Sequence, residues 1–219
     1  MEAFVEQRNF GQAAFTKPGL ALYDALVLGM TCRYIWRCPN ARVLEVYRRH
    51  LSGNHLEVGV GTGYFLDHVN FPVAQPRLAL LDLNANCLER TAKRVARYAP
   101  TVHQANVLEP IALGAPRFDS IGLNYVLHCV PGSFPDKGKV LLHLKQLLNP
   151  GGVMFGATVL ASGVPHTWAS STALRYFNAH QTLNNAEDDY AQFADTLRQH
   201  LQDVTIDVVG CVALFSGRA

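Results

Sequence analysis

From residue 54 onward, short apolar runs alternate with stretches in which apolar residues recur at every third or fourth position. This alternation is typical of a parallel β-sheet covered by helices. Several of the runs are apolar almost throughout, as is expected of strands that are buried on both faces. The sequence therefore predicts five strands, at residues 54–60, 77–83, 101–107, 118–124 and 152–159.

Two helices between these strands are predicted from their first residues as well as from their spacing. Asn84 is a favoured capping residue for a helix over 84–99. Ser133, with Asp136 three residues later, has the pattern of a capping box. The sequence Asn149-Pro150-Gly151-Gly152 is expected to end the second helix.

The C-terminal part of the chain breaks the alternation. The runs DVTIDVVG and CVALFSG meet at Gly210 and Cys211, and strands joined so closely must form an antiparallel hairpin. The predicted fold class is therefore α/β, a three-layer sandwich with a seven-stranded, mostly parallel sheet and a terminal antiparallel hairpin. We expect one domain over residues 1–219, made of a helical N-terminal cap (1–52), a core (53–160), a lid insertion (161–201) and the hairpin (202–219).

Composition narrows the function classes. Hydrophobic residues make up 49% of the chain and charged residues 16%, which fits a globular enzyme. A net charge of +2 gives no electrostatic case for nucleic acid as the main partner. The five cysteines lack a C-x-x-C pair, so neither a disulfide framework nor a metal site is predicted. The first residues carry glutamates rather than the positive charge of a signal peptide, and the apolar segment 20–30 is too short to span a membrane. We expect a cytoplasmic protein.

Three alternating glycines follow the first predicted strand, in the sequence Glu57-Val58-Gly59-Val60-Gly61-Thr62-Gly63. In open α/β sheets, ligands bind at this edge. Glycine lets a ligand approach the main chain, although close packing of a helix on the strand also demands it. Asp82 ends the second strand, where an acidic side chain can accept hydrogen bonds from ribose hydroxyls. Asn106 and Asn124 end the next two strands, so four consecutive strand ends carry polar or glycine residues.

These residues resemble the class I S-adenosylmethionine-dependent methyltransferases. The resemblance is carried by Glu57-x-Gly59-x-Gly61-x-Gly63, Asp82, Asn106-Val107, FDSIGLNYVLHCV and LLNPGGVMF, and it covers roughly residues 50–160. It implies S-adenosylmethionine as cofactor, whereas a nicotinamide enzyme would usually carry G-x-G-x-x-G. The implied cofactor contacts are Glu57, Gly59, Gly61, Gly63 and Tyr64 at the glycine loop, Asp82 and Leu83 at the ribose, Asn106 and Val107 at the adenine, and Asn124 at the methionine part.

Methyl transfer from a sulfonium is a direct displacement, so the protein chiefly has to align donor and acceptor. A general base helps when the acceptor is a phenol or a protonated amine. His128 and Tyr125, just after the fourth strand, are the candidate catalytic residues. In the resembling family a histidine at this point often supports the loop from behind, and that alternative stays open. Cys129 is expected to be a small buried residue rather than a nucleophile.

The segments outside the core are aromatic, which suits a small, partly hydrophobic acceptor. Packing alone explains about half of these residues. The candidate substrate-binding residues are Tyr23, Trp36, His166, Trp168, Tyr176 and His180. The predicted function is methylation of oxygen, nitrogen or carbon in a small molecule of secondary metabolism, by a monomer or homodimer. The alternatives are an S-adenosylmethionine-binding protein that transfers no methyl group, as a rearrangement catalyst or a regulator, and an RNA or protein methyltransferase.

Overall fold

The computed structural model describes residues 24–114 and 116–219, with side chains described from residue 28. A π-helix spans Asp24–Ile35. The α-helices are α1 (Asn40–His50), α2 (Tyr64–Asp67), α3 (Ala85–Arg94), α4 (Phe134–Lys145), α5 (Trp168–Ala179) and α6 (Tyr190–His200). The strands are β1 (Asn54–Val58), β2 (Arg77–Asp82), β3 (Thr101–Gln104), β4 (Phe118–Asn124), β5 (Leu148–Val159), β6 (Gln202–Val209) and β7 (Val212–Arg218).

The seven strands form one sheet in the order β3-β2-β1-β4-β5-β7-β6. Strands β1 to β5 are parallel to one another, and β7 is antiparallel to both β5 and β6. The predicted fold class and the terminal hairpin are therefore confirmed. The hairpin turns at Gly210, which has a φ of +62°, and a Cβ there would lie 2.1 Å from the carbonyl oxygen of Trp36.

Several element boundaries differ from the prediction: β1 ends at Val58 rather than at residue 60, β2 at Asp82 rather than at residue 83, and α3 at Arg94 rather than at residue 99. Asn149-Pro150-Gly151-Gly152 does not end a helix, because α4 stops at Lys145 and these four residues lie inside β5. They join the sheet through the pairing of Leu148 with Phe118, before a shift in register. Strand β3 ends at Gln104, three residues early, where the side chain of Asn106 accepts from the N–H of Leu108 at 3.1 Å and turns the chain away.

Both predicted helix starts are confirmed. The Asn84 side chain accepts a hydrogen bond from the N–H of Asn86 at 2.9 Å, and α3 begins at the next residue, Ala85. At α4 the Asp136 carboxylate accepts from the N–H of Ser133 at 3.3 Å. These side chains satisfy backbone N–H groups that have no partner within a helix.

The core lies on both faces of the sheet. On one face Tyr47 of α1 contacts Phe155 edge-on, with ring centroids 5.1 Å apart. On the other face Phe193 of α6 contacts Phe134 at 4.9 Å and Phe215 at 5.5 Å. Helix α6 falls within the expected lid (161–201), yet it packs against the sheet. The part of that insertion that can reach the site therefore ends before α6.

The N-terminal cap is described only from residue 24 onward, and there it is helical as expected. The carbonyl oxygen of Trp36 accepts from the N–H of Cys211 at 3.1 Å, which joins the cap to the hairpin turn. All five cysteines are free thiols. No helix within residues 24–114 and 116–219 is long and apolar enough to cross a membrane.

Candidate functional site

A cavity of about 280 Å³ lies at the carboxyl ends of β1, β2, β3 and β4, where open α/β sheets bind ligands. The cavity is lined by all ten residues that the sequence assigns to the cofactor: Glu57, Gly59, Gly61, Gly63, Tyr64, Asp82, Leu83, Asn106, Val107 and Asn124. The structure therefore brings them together around one space.

The three glycines of the loop are required for different reasons. All three have positive φ, of +66° at Gly59, +53° at Gly61 and +75° at Gly63. A Cβ at Gly59 would lie 2.2 Å from a methyl carbon of Val126, and one at Gly63 would lie 2.9 Å from a methyl carbon of Thr91. A Cβ at Gly61 would meet no atom within 4 Å. Two of the glycines therefore serve packing, and Gly61 leaves open space at the cavity wall.

Asp82 ends β2 with its carboxylate held by the main chain. Its Oδ1 accepts from the N–H of Asn84 at 2.8 Å. Burial raises the pKa of this carboxyl, and backbone N–H groups at Asn84, Gly61 and Val60 lower it. The remaining acceptor capacity of the carboxylate is available to hydroxyl donors of a ligand.

Glu57 ends β1 and is buried, with its two oxygens already accepting hydrogen bonds. The hydroxyl of Tyr47, on α1, donates to Oε1, and Nε2 of His55 lies 2.9 Å from Oε2. The other ring nitrogen of His55 lies 2.8 Å from Oγ of Ser120. We call Tyr47, Glu57, His55 and Ser120 the polar chain. Tyr47 and His55 were not among the predicted site residues, because their spacing is that of ordinary core positions.

Two asparagines at the cavity differ in how their amides are used. Asn124 at the end of β4 is 6% exposed, and neither its Oδ1 nor its Nδ2 makes a hydrogen bond of normal geometry with the described residues, although the amide lies close to the hydroxyl of Tyr47. Buried amides without partners are rare in folded proteins. Asn106 instead donates to Glu109 at 3.1 Å and accepts from Leu108. The amide of Asn124 is thus the one positioned for a ligand.

His128 lies behind the loop that follows β4. It is 6% exposed, its Nδ1 accepts from the N–H of Val159 at 3.3 Å, and it is not among the described residues that line the cavity. Burial, with a smaller effect from Lys137, lowers the pKa of His128 to about 3. The imidazole is therefore neutral, and this geometry does not favour it as a general base.

Tyr125 lines the cavity and has a φ of +57°, which is strained for a residue with a side chain. Its hydroxyl is buried beside Cys32 and Cys38 and makes no hydrogen bond of normal geometry with the described residues. Burial raises the pKa of this phenol well above its usual value. Because neither thiol lines the cavity, the ring of Tyr125 forms the wall and its hydroxyl lies behind it.

The candidate substrate-binding residues that the structure describes lie away from the cavity lining. Trp36 is buried against Phe177, and His166 is partly buried. Trp168 is 82% exposed, Tyr176 is 58% exposed, and His180 is exposed. None of these five belongs to the described lining of the cavity, and Tyr23 is outside the described residues.

Residues outside the predicted cofactor motif form the rest of the cavity wall. They include Leu28, Cys129, Pro131, Gln181, Thr182 and Asn184. Cys129 was expected to be buried but is exposed at the wall, because the turn after β4 presents it outward. Short polar residues in a loop carry little sequence signal, so the loop after α5 could not have been singled out.

A buried ion pair holds that loop in place. Nζ of Lys137, on α4, lies 2.6 Å from Oδ1 and 2.7 Å from Oδ2 of Asp188, and both side chains are fully buried. Nζ also donates to the carbonyl oxygen of Asn184 at 3.0 Å. Within the described part of the chain, no group of three or more His, Cys, Asp or Glu side chains could hold a metal ion.

Comparison with known proteins identifies the family. A model of a methyltransferase domain matches residues 56–154. The chain is 44% identical over 205 residues to the demethylluteothin O-methyltransferase of Streptomyces thioluteus, covering 94% of this chain and 89% of that protein. It is 33% identical over 207 residues to a physcion biosynthesis cluster O-methyltransferase of Aspergillus chevalieri, covering 94% and 93%.

A solved structure shares the fold. The N-methyltransferase NodS of Bradyrhizobium japonicum WM9, in complex with S-adenosyl-L-homocysteine, matches with a TM-score of 0.62 at 16% identity, over 93% of this chain and 98% of that one. The space at Gly61, the carboxylate of Asp82 and the amide of Asn124 fit a nucleoside that carries an amino-acid chain. The chain belongs to the class I S-adenosylmethionine-dependent methyltransferases.

Proposed function

We propose that this enzyme transfers a methyl group from S-adenosylmethionine to a hydroxyl oxygen of a small, partly hydrophobic molecule of secondary metabolism. The observation that carries the proposal is the cavity at four strand ends, with its glycine loop and its largely apolar wall. The two curated relatives named above are O-methyltransferases, one of them named for a biosynthesis cluster. Both are matched over nearly their whole length, which supports a similar class of acceptor here.

In this proposal different residues of the cavity bind different parts of the cofactor. Asp82 accepts hydrogen bonds from the ribose hydroxyls, the main chain at Gly61 borders the cofactor directly, and the amide of Asn124 binds the amino-acid end. The bound cofactor supplies an electrophilic methyl group, and the chain fixes its direction relative to the acceptor. The acceptor enters beside Gln181 and Thr182, which line the same cavity.

We propose that His128 supports the loop after β4 and does not act as a general base. His128→Asn keeps an acceptor for the N–H of Val159, so we expect kcat to stay within about threefold of wild type, while the melting temperature falls by a few degrees. Steady-state kinetics and thermal unfolding measure both. A loss of kcat by about 10²-fold or more at an unchanged melting temperature is the signature of a base and would contradict this assignment.

The ribose assignment is tested with Asp82→Ala. Losing hydrogen bonds to a charged acceptor is expected to weaken S-adenosylhomocysteine binding by about 1.5–3 kcal/mol, which is roughly a 10- to 150-fold increase in Kd. Isothermal titration calorimetry gives the value directly. Asp119→Ala, which removes an exposed carboxylate at the other end of the sheet, is the matched control and should leave Kd unchanged. An unchanged Kd for Asp82→Ala would mean that the ribose binds elsewhere.

The proposed function itself is tested by transfer of a labelled methyl group from S-adenosylmethionine into an extract of the source organism, separated into small-molecule, protein and RNA fractions. We expect label in the small-molecule fraction, in a product that acid or base treatment identifies as a methyl ether or ester. Label in protein or RNA would overturn the acceptor class. Asp82→Ala in parallel shows that the label depends on this cavity.

The wider setting is also part of the proposal. Five free thiols suit a reducing compartment, so we propose the cytoplasm as the location. A monomer or homodimer, and no role for nucleic acid, stay predictions from the sequence.

A further inference from the structure

Glu57 is a buried carboxylate at the cavity wall without a permanent cationic partner. It is 5% exposed, and no lysine or arginine of the described residues forms an ion pair with it. Buried carboxylates are normally paired with a cation or coordinate a metal. Its two recorded hydrogen bonds leave further acceptor sites on both oxygens, since a carboxylate can accept about four. No lysine or arginine of the described residues supplies a positive charge at this wall, and a ligand can supply one.

The polar chain fixes the position of the Glu57 carboxylate. The hydroxyl of Tyr47 donates to Oε1 of Glu57 from α1, across the sheet surface. Nε2 of His55 lies 2.9 Å from Oε2 of Glu57, and its Nδ1 lies 2.8 Å from Oγ of Ser120. Ser120 in turn accepts from the N–H of Ser52 at 3.0 Å. Each oxygen of the Glu57 carboxylate is therefore held by a neighbouring side chain, Oε1 by Tyr47 and Oε2 by His55.

The packing around the polar chain excludes other positions for the carboxylate. The Tyr47 ring is stacked on Phe65 at 5.8 Å and meets Phe155 edge-on. On the neighbouring strand, a Cβ at Gly122 would lie 2.4 Å from Oε2 of Glu57, so only glycine leaves room for this side chain. Burial and the neighbouring Glu57 raise the pKa of Tyr47 well above its usual value, so it remains a donor.

We propose that Tyr47 and His55 are positioning residues, which hold the ionised carboxylate of Glu57 at the cavity wall as the counter-ion of a ligand's ammonium group. The neighbouring amide oxygen of Asn124 makes no hydrogen bond of normal geometry with the described residues, and it completes an acceptor pair for that group. This inference rests on the proposed function, in which the ammonium is that of the cofactor's amino-acid end. It adds a residue of the N-terminal cap, Tyr47, to the determinants of cofactor binding.

Two ligands separate positioning from general support of the fold. S-adenosylhomocysteine carries the ammonium, whereas 5′-methylthioadenosine has the same nucleoside and sulfur but lacks the amino-acid end. For Tyr47→Phe we expect the Kd of S-adenosylhomocysteine to rise about 5- to 20-fold, and that of methylthioadenosine to stay within about twofold. Glu57→Gln, which removes the charge itself, should show at least the same selective loss. Calorimetry with both ligands, on the full-length variants, measures the four values.

Tyr98→Phe is the matched control, since it removes the same atom from a ring that packs against Phe71 at 4.8 Å, away from the cavity. Neither ligand should bind it differently from wild type. An equal loss of both ligands in Tyr47→Phe would indicate a purely structural hydroxyl and overturn the inference. So would an unchanged Kd for S-adenosylhomocysteine, or a loss in Glu57→Gln that Tyr47→Phe does not share. Failure of the wild type to bind either ligand would instead refute the proposed function.

Discussion

Replacing Lys137 by methionine is expected to lower the free energy of unfolding by about 3–5 kcal/mol at neutral pH, because it leaves the carboxylate of Asp188 buried without a partner. Methionine retains most of the apolar stem of lysine, so the loss reports the charge rather than a cavity. Chemical denaturation, with the slope compared between variants, measures the difference. A loss below about 1 kcal/mol would show that water or another group reaches Asp188.

The pH dependence of this variant has a defined sign. Burial raises the pKa of Asp188 to about 6 even beside Lys137, which itself lowers that pKa. Without the lysine the folded-state pKa of Asp188 rises further above its unfolded value. Between these two pKa values the folded state binds more protons than the unfolded state, so the stability of the variant falls as pH rises. The deficit of Lys137→Met relative to wild type should therefore shrink from about pH 8 to about pH 5. The double variant with Asp188→Leu should recover most of the loss at all pH values.

The glycine loop gives the second large effect, through a matched pair of substitutions. Gly59→Ala is expected to lower the free energy of unfolding by about 2–4 kcal/mol, since the new Cβ meets Val126 at 2.2 Å in addition to the strain at positive φ. Gly61→Ala has only the strain, about 1–2 kcal/mol, but its Cβ enters the open space at the cavity wall. It should raise the Kd of S-adenosylhomocysteine by about tenfold or more.

Denaturation and calorimetry on both variants separate the two roles. Shortening the neighbour, in Gly59→Ala with Val126→Ala, should restore part of the stability lost in Gly59→Ala, because it removes the atom that clashes. Val126→Ala should restore no stability when it is combined with Gly61→Ala. Equal losses of stability and affinity in the two single variants would show that the glycines are interchangeable, contrary to their surroundings.

Much of the fold and the cofactor cavity could be predicted because they depend on local patterns. Buried strands read as apolar runs, and a residue at the end of a parallel strand must lie at the sheet edge with the other strand ends. That is why Asp82 and Asn124 were placed together although they are far apart in sequence. The hairpin followed from the short junction at Gly210 and Cys211, which leaves no room for a crossover.

The rest depends on contacts that no local pattern encodes. Tyr47 occupies an ordinary buried position of an amphipathic helix, and only the packing of α1 on the sheet brings its hydroxyl to Glu57. Trp168 looked like a lid residue from its size, but α5 turns it outward. In the sequence His128 follows the end of β4 by about one helical turn. Its side chain points inward to the N–H of Val159, and this direction decides its role.

The position of β7 inside the sheet has a consequence for how the chain folds as it is synthesised. Strand β5 is complete about fifty residues before β7 emerges, so until then its free side is an open edge in a nascent parallel sheet. At about 5–20 residues per second this exposure lasts roughly 3–10 s. Unpaired strand edges invite association with other chains. Variants that weaken the β6–β7 hairpin should therefore first reduce the yield of soluble protein in the cell, and only then the stability of the molecules that fold.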